Sequence, residues 1–272
     1  MKTFKVEKDT KLNKFLEEKY GAELPYSSYK KLLRNKDIKV NGKRINSEIS
    51  LKVGDILDVY FDGVKKSLNI LFKDDNILVL DKPCGVTSED FELQVKKEFL
   101  NAKLTHRLDR NTSGIIIFSL NESAYEELLK AFKDRTIDKY YLAEIYGSFN
   151  EQKGVLSDYL IKDSENSLVK VVKDNLQGSV KIITEYSLVE SFKETSILSV
   201  KLITGKTHQI RAHFAFYGHF IIGDGKYGDN NINKRLKAKY HHLTAEKVVF
   251  NFDSGTLKYL DKIEIKLNRK PW

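Results

Sequence analysis

Apolar residues recur along the chain with two different periods, and the changes of period divide it. Leu12, Phe15 and Leu16 fall three and four apart, and Tyr29, Leu32 and Leu33 repeat that spacing after Pro25, with Ser27 as a candidate cap. Such spacing gathers apolar side chains on one face, which predicts two short amphipathic helices. Ile38-Lys39-Val40 then alternates as a strand, Asn41-Gly42 suits a tight hairpin turn, and Leu57 to Phe61 adds a second β-prone run. Residues 62–68 mix glycine, charge and serine without a period, as a short linker does. The expected division is residues 1–61, the linker 62–68, and a larger domain over 69–272.

In the larger domain Ile70 to Phe72 and Ile77 to Leu80 read as strands around the turn Asp74-Asp75-Asn76, and Phe91, Val95 and Phe99 mark a helix face. Ile115 to Phe118 is a buried strand candidate, and Asn121 can cap a helix bearing Ala124, Leu128 and Phe132. The β-prone runs Tyr140 to Tyr146, Ser179 to Val189, Ser196 to Ile203, Val248 to Phe252 and Ile263 to Leu267 follow. Strands that adjoin without intervening helices predict a mixed α/β (α+β) domain with a mostly antiparallel sheet, not a doubly wound parallel one. Ile210, His213, Phe214 and Tyr217 repeat at helical spacing, with Gly218 as terminator.

Composition narrows the partners. The chain has 272 residues and a formal net charge of +9, so its long-range field favours a polyanion. No stretch approaches the roughly 20 apolar residues of a spanning helix, and the N-terminus MKTFKVEKDTKLNKF has no signal-peptide core. A cytoplasmic protein without membrane association is the expectation. A single cysteine, Cys84, excludes an intramolecular disulfide and a cysteine-cluster metal site. His208 and His213 are five apart, poorly aligned for one ion, so no metal is expected. Gly205-Lys206-Thr207 is not a nucleotide-binding loop, because Val200 stands where that motif needs its first glycine.

In the first segment Lys30, Lys31, Arg34, Lys36, Lys39, Lys43 and Arg44 cluster on the second helix and the hairpin, the footprint of a phosphate-binding face. The arrangement RxxxIxVNG at Arg34 to Gly42, followed by Val53-Gly54-Asp55, resembles the S-four-type RNA-binding domain named for a ribosomal small-subunit protein.

The stretch His106-Arg107-Leu108-Asp109-Arg110-Asn111-Thr112-Ser113-Gly114 sets one carboxylate between two guanidinium groups. It resembles the signature of the RluA-type pseudouridine synthases. Three more segments are similar to that family in the same order: Asp81-Lys82-Pro83-Cys84-Gly85, Lys139-Tyr140-Tyr141-Leu142-Ala143, and Thr204 to Arg211 with Gly223-Asp224 and Tyr227-Gly228 downstream. The resemblance implies a pseudouridine synthase fold that isomerises uridine within structured RNA as a monomer, with no cofactor, since the reaction neither changes oxidation state nor consumes water. It implies Asp109 as the catalytic carboxylate, attacking C1′ or stabilising the developing sugar cation. It makes Arg211 the partner that holds Asp109 as the anion, Tyr141 the ring against the flipped uracil, and Arg107 the group filling the vacated stack. Arg110, His106, Lys206 and His208 are further substrate-binding candidates.

Large-subunit ribosomal RNA is the expected target and transfer RNA the alternative. His219-Phe220 in place of His-Pro, Lys206 in place of arginine and Thr244 within Leu-His-Ala are departures from the family pattern that bear on that choice. A noncatalytic RNA-binding or ribosome-assembly protein would not need Asp109 and Arg211. A glycosidase would need a second carboxylate as acid.

Overall fold

The structure, a computed structural model, describes residues 1–21, 24, 26–61, 68–163, 168–269 and 271–272. They fall into two compact units, Met1–Ser67 and Leu68–Trp272. Pro25 and residues 62–67, nearly all of the expected linker, lie outside the described residues, as does the side chain of Ser27.

In the first unit β1 (Lys2–Lys5), β2 (Thr10–Lys11), α1 (Leu12–Tyr20), α2 (Tyr26–Arg34), β3 (Ile38–Val40), β4 (Lys43–Ile45), β5 (Ser50–Leu51) and β6 (Ile56–Val59) follow in order. Strands β1-β6-β3-β4 form an antiparallel sheet and β2 pairs with β5. The apolar faces expected from spacing are the buried ones: Leu12, Phe15 and Leu16 of α1 and Tyr29, Leu32 and Leu33 of α2 share a core with Ile38, Leu57 and Val59. Asn41 and Gly42 take φ of 50° and 77°, the paired left-handed residues of a tight hairpin turn. α2 begins at Tyr26, so Ser27 stands inside its first turn and does not cap it. β1 lacks an apolar alternation of its own and is recruited by pairing with β6, from Lys2↔Val59 to Lys5↔Ile56.

The second unit contains β7 (Ile70–Lys73), β8 (Ile77–Lys82), α3 (Ser88–Val95), β9 (Lys103–Leu104), β10 (Ser113–Ser119), α4 (Glu122–Asp134), β11 (Ile137–Tyr146), β12 (Lys153–Asp163), β13 (Leu168–Val172), β14 (Val180–Ser191), β15 (Thr195–Leu202), α5 (Gln209–Phe216), α6 (Asn230–Arg235), β16 (Leu243–Phe250) and β17 (Glu264–Lys266). Its sheet runs β13-β12-β14-β15-β11-β16-β10-β8-β7, with β17 on β16 and β9 on β10. Among the described residues every pairing along it is antiparallel except β10 with β16. β8 and β10 are buried along their whole length, as central strands of a covered sheet should be. Asn121 caps α4, its Oδ1 accepting from the Ala124 N–H at 2.9 Å. α3 stops at Val95, which leaves Phe99 beyond its end, packed at the core margin.

β12 and β13 are strands that the apolar pattern does not announce. The inward positions of β12 are Leu156, Asp158 and Leu160, so an acid interrupts the alternation. Asp158 is buried because α5 supplies partners: His213 Nε2 lies 3.0 Å from its Oδ2 and the Tyr217 hydroxyl donates to the same atom at 2.7 Å. β16 starts at Leu243, five residues before the apolar run expected there, because its first residues are held by the parallel pairing with β10.

That pairing explains Gly114. Its φ is 110°, and a Cβ built on it would lie 2.2 Å from the Ala245 carbonyl oxygen. Gly114→Ala is expected to destabilise the protein by roughly 2 kcal/mol or more, through backbone strain and overpacking together. Urea unfolding reads this as a lower midpoint at unchanged slope. Wild-type stability in this variant would show that the close approach of β10 and β16 does not require glycine.

Candidate active site

Between β9 and β10 the backbone of residues 105–113 is tied down from several sides. Thr105 Oγ1 donates to the Ile117 carbonyl at 2.7 Å, and the Ile117 N–H donates to His106 Nε2 at 3.0 Å. Ser88 Oγ both donates to the Leu108 carbonyl and accepts from its N–H, each at 2.9 Å. The Arg110 carbonyl accepts from the Gly85 N–H at 2.9 Å and from Lys82 Nζ at 3.3 Å. Lys82 is wholly buried and also donates to the carbonyls of Pro83 and Val86; burial lowers its pKa to about 8. Cys84 Sγ donates to the Asn111 carbonyl at 3.0 Å, which makes it a fastener of the turn. Thr112 Oγ1 lies 2.9 Å from Nε2 of the buried His241. The loop is thus rigid, while the charged side chains of Arg107, Asp109 and Arg110 remain outside this internal bonding.

Asp109 meets Arg211 across 102 residues of sequence: Nη1 donates to Oδ2 at 2.7 Å. The rest of the guanidinium forks onto Asp224, Nε to Oδ2 at 2.7 Å and Nη2 to Oδ1 at 2.9 Å. Asp224 is wholly buried. Burial alone would raise its pKa, but the Arg211 fork and the Lys226 N–H pull it below the usual carboxylate range. Burial opposes the charge on Arg211, and the two aspartates more than restore it, Asp224 first. Among the described residues Asp109 Oδ1 accepts no hydrogen bond. One oxygen of the carboxylate is fixed and the other is open.

A cleft of about 950 Å³ surrounds this pair. It is lined by Arg107, Arg110, Lys133, Arg135, Lys139, Lys206, Arg211 and Lys226, against the carboxylates Glu89 and Asp109. Tyr141, also in the lining, sits where β11 meets an irregularity of β16: Tyr140 pairs with Lys247 and Tyr141 with Ala245, so Glu246 bulges. Burial, then the Asp109 charge, keep its phenol protonated by raising its pKa. His208 takes a left-handed φ of 54° at the start of α5, and its Nε2 lies 3.9 Å from Asp109 Oδ2. The Val169 N–H donates to the Tyr227 hydroxyl at 3.0 Å, and His208 Nδ1 lies 2.9 Å from the same oxygen, which orients the imidazole with Nε2 toward Asp109. Burial lowers the His208 pKa below the ordinary histidine value.

All eight residues singled out for this domain, His106, Arg107, Asp109, Arg110, Tyr141, Lys206, His208 and Arg211, line the one cleft. Their surroundings differ. His106 is packed on Phe132 at 4.5 Å between ring centroids, and burial lowers its pKa to about 3, so it forms a neutral wall. Arg107 is 70% exposed and pairs with Glu89 at 3.1 Å. His213 faces away from the cleft, between Asp158 and Thr184. Asp224, Tyr227, His241 and Lys82 carry the geometry without having been singled out. Asp224 was visible only as part of Gly223-Asp224; its signal was that a buried arginine needs more than one acceptor.

In the first unit Lys30, Lys31, Arg34, Lys36, Lys43 and Arg44 are exposed and Lys39 is half-buried. Lys39 stands directly opposite Arg44 in the β3–β4 register, a like-charge pairing that weakens a sheet. Both cations lie over the Tyr60 ring, at 5.2 and 5.4 Å from its centroid, which offsets the repulsion.

A carboxylate held by one oxygen in a cation-lined cleft, on a mixed and mostly antiparallel sheet, is an arrangement suited to a polyanionic substrate. The family model described as RNA pseudouridylate synthase matches residues 76–216. The chain is 30% identical over 240 residues to ribosomal large subunit pseudouridine synthase C of Vibrio parahaemolyticus, covering 78% of this chain and 74% of that one. It is 35% identical over 211 residues to an uncharacterized RNA pseudouridine synthase of Mycoplasma genitalium, covering 70% and 65%. Among solved structures, human RNA pseudouridylate synthase domain containing 1 matches with a TM-score of 0.64 at 24% identity, over 75% of this chain and 84% of that chain, a likeness of fold. The chain belongs to the RNA pseudouridylate synthase family, enzymes that isomerise uridine to pseudouridine.

Arg211→Ala would strand the buried Asp224, at roughly 3–5 kcal/mol, and so should lose stability together with activity. Arg211→Lys keeps a charge but cannot fork onto Asp224 while reaching Asp109. It is expected to remain folded by thermal unfolding and to lose about 100-fold or more in single-turnover conversion of a target uridine, the scale of losing one preorganised donor. Near-normal turnover in Arg211→Lys would remove the shared fork from the account.

Proposed function

We propose that the chain is a cytoplasmic, monomeric synthase acting on uridines of large-subunit ribosomal RNA, with Asp109 as the catalytic carboxylate. The observation that carries the role of Asp109 is its divided environment: Oδ2 is held by Arg211 while Oδ1 stays open to the cleft. A carboxylate oriented in this way can face C1′ of a ribose as the bond to N1 of uracil breaks. Among the described residues the other carboxylates are poorly placed as the acid of a hydrolysis: Asp224 lies in the Arg211 fork, and Glu89 stands largely exposed beside Arg107, away from the Asp109–Arg211 pair. This favours turning the base and rejoining it through C5 over releasing it.

The surplus of cations in the cleft suits the phosphates on either side of an extruded nucleotide. Tyr141 offers a ring beside Asp109 for the flipped uracil. Arg107, exposed on the rim, is placed to leave Glu89 and enter the vacated stack, as a planar guanidinium can. Arg110 and Lys206, both exposed, serve the strand, and the seven cations of the first unit serve RNA outside the target. The ribosomal target is supported by what the relatives in Vibrio species are named for.

Carbodiimide mapping of pseudouridines in ribosomal and transfer RNA, from cells with and without the gene, tests the reading. One or more sites in large-subunit ribosomal RNA should vanish, return with the wild-type gene, and stay absent with Asp109→Asn. Loss confined to transfer RNA would move the target there. Loss at no site in any RNA would overturn the reaction and leave a noncatalytic RNA-binding protein.

A further inference from the structure

Lys139 has no part in the chemistry above, yet it is built into the cleft wall. It precedes Tyr141 by two residues on β11, so the two side chains share one face of the strand, and both line the cleft. Tyr140, between them, turns to the other face, where Lys201 and Lys247 stand 5.6 and 4.5 Å from its ring centroid. Lys139 Nζ lies 5.5 Å from the centroid of Phe132, the ring on which His106 packs. Among the described residues no carboxylate or carbonyl bonds this ammonium; the adjacent acid, Asp138, pairs with Lys201 at 3.0 Å.

Its other neighbours are cationic or absent. Arg135 caps α4 with a left-handed φ of 63°, where glycine is the usual residue, and lines the same cleft. Across from Lys139 stands Gly205, where a Cβ would lie 3.4 Å from Nζ, so the ammonium reaches the backbone on the far side of the cleft. Burial first, and then Arg135, lower the Lys139 pKa, against a smaller opposing pull from Asp138. A half-buried charge beside a like charge, with its neighbouring acid paired to another lysine, is unfavourable in the free protein. An anion arriving with the substrate reverses that.

We infer that Lys139, with Arg135 beside it, binds the phosphodiester adjoining the flipped uridine. Two residues along a strand span about 6.6 Å, comparable to the reach from a ribose C1′ to a phosphate on either side of it. With C1′ at Asp109 and the uracil against Tyr141, Lys139 stands one linkage away. This rests on the cleft being the seat of the target uridine, so the test uses an RNA hairpin whose uridine the wild-type enzyme demonstrably converts.

The hairpin is prepared with natural linkages, or with one neutral methylphosphonate on the 5′ or the 3′ side of that uridine. On the natural RNA, Lys139→Met is expected to raise KM about tenfold, the scale of one charge-assisted contact, with kcat within about threefold by the same reasoning. The slope of log KM against log salt should flatten by about one counterion, and Lys139→Arg should recover most of the affinity. One of the two methylphosphonates should weaken the wild type by as much as Lys139→Met does and weaken that variant little further. The inference is overturned if neither methylphosphonate weakens the wild type, a result that needs no variant to fold. It is overturned equally if each methylphosphonate weakens both enzymes alike, or if Lys139→Met leaves KM and the salt slope unchanged.

Discussion

Arg211 divides its guanidinium between two carboxylates of opposite kind, and the site depends on that division. Two of its nitrogens are committed to Asp224, which sees no solvent, and the third reaches Asp109 at the edge of the cleft. Burying an ion pair contributes little net stability, because desolvation offsets most of the attraction. Its value here is direction. With Asp224 fixing the plane of the guanidinium, Nη1 can point only one way, and Asp109 Oδ2 is held where it points. Asp224 is itself located by the N–H groups of Lys226 and Tyr227 and by Asn233, which donates to its carbonyl. The order of support runs from α6 and the turn before it, through α5, to the loop that carries Asp109.

The loop supplies the other half of the constraint. Lys82, Ser88, Cys84 and His241 each hold a backbone or hydroxyl group between Leu108 and Thr112, so that Asp109 is presented from a fixed frame. Gly114 ends that frame at the one parallel strand pairing, close against Ala245. Electrostatics then separate isomerisation from hydrolysis. Asp224 is committed to Arg211 and Glu89 stands largely exposed beside Arg107, while lysines and arginines dominate the walls. Such a cleft suits a phosphate backbone and, among the described residues, offers no buried carboxylic acid beside Asp109 to protonate a leaving group.

Much of this was legible in the sequence, for identifiable reasons. Local periodicity placed α1, α2, α4 and α5 and most strands, because each buries one face against its own unit. Where burial is not apolar the pattern was silent: β12 turns Asp158 inward because His213 and Tyr217, more than 50 residues away, complete it. The early start of β16 depends on pairing with β10, a nonlocal contact that no window of sequence contains. The Asp109 loop and its partner Arg211 were reachable through ordered motifs; Lys82 and Asp224 fell within those motifs without any sign of what they hold, and His241 lay outside them. Each is an ordinary polar residue until the chain that reaches it is known.

The most direct measurement is a crystal structure of the wild-type enzyme on its RNA after turnover, with pseudouridine in the cleft. Asp109 Oδ1 should lie roughly 3–3.5 Å from C1′ of that nucleotide, near-attack distance, while Oδ2 remains bonded to Arg211 Nη1 and the fork to Asp224 is intact. A pseudouridine sugar held away from Asp109, or an Arg211 that has released Asp109 for a phosphate, would contradict the account.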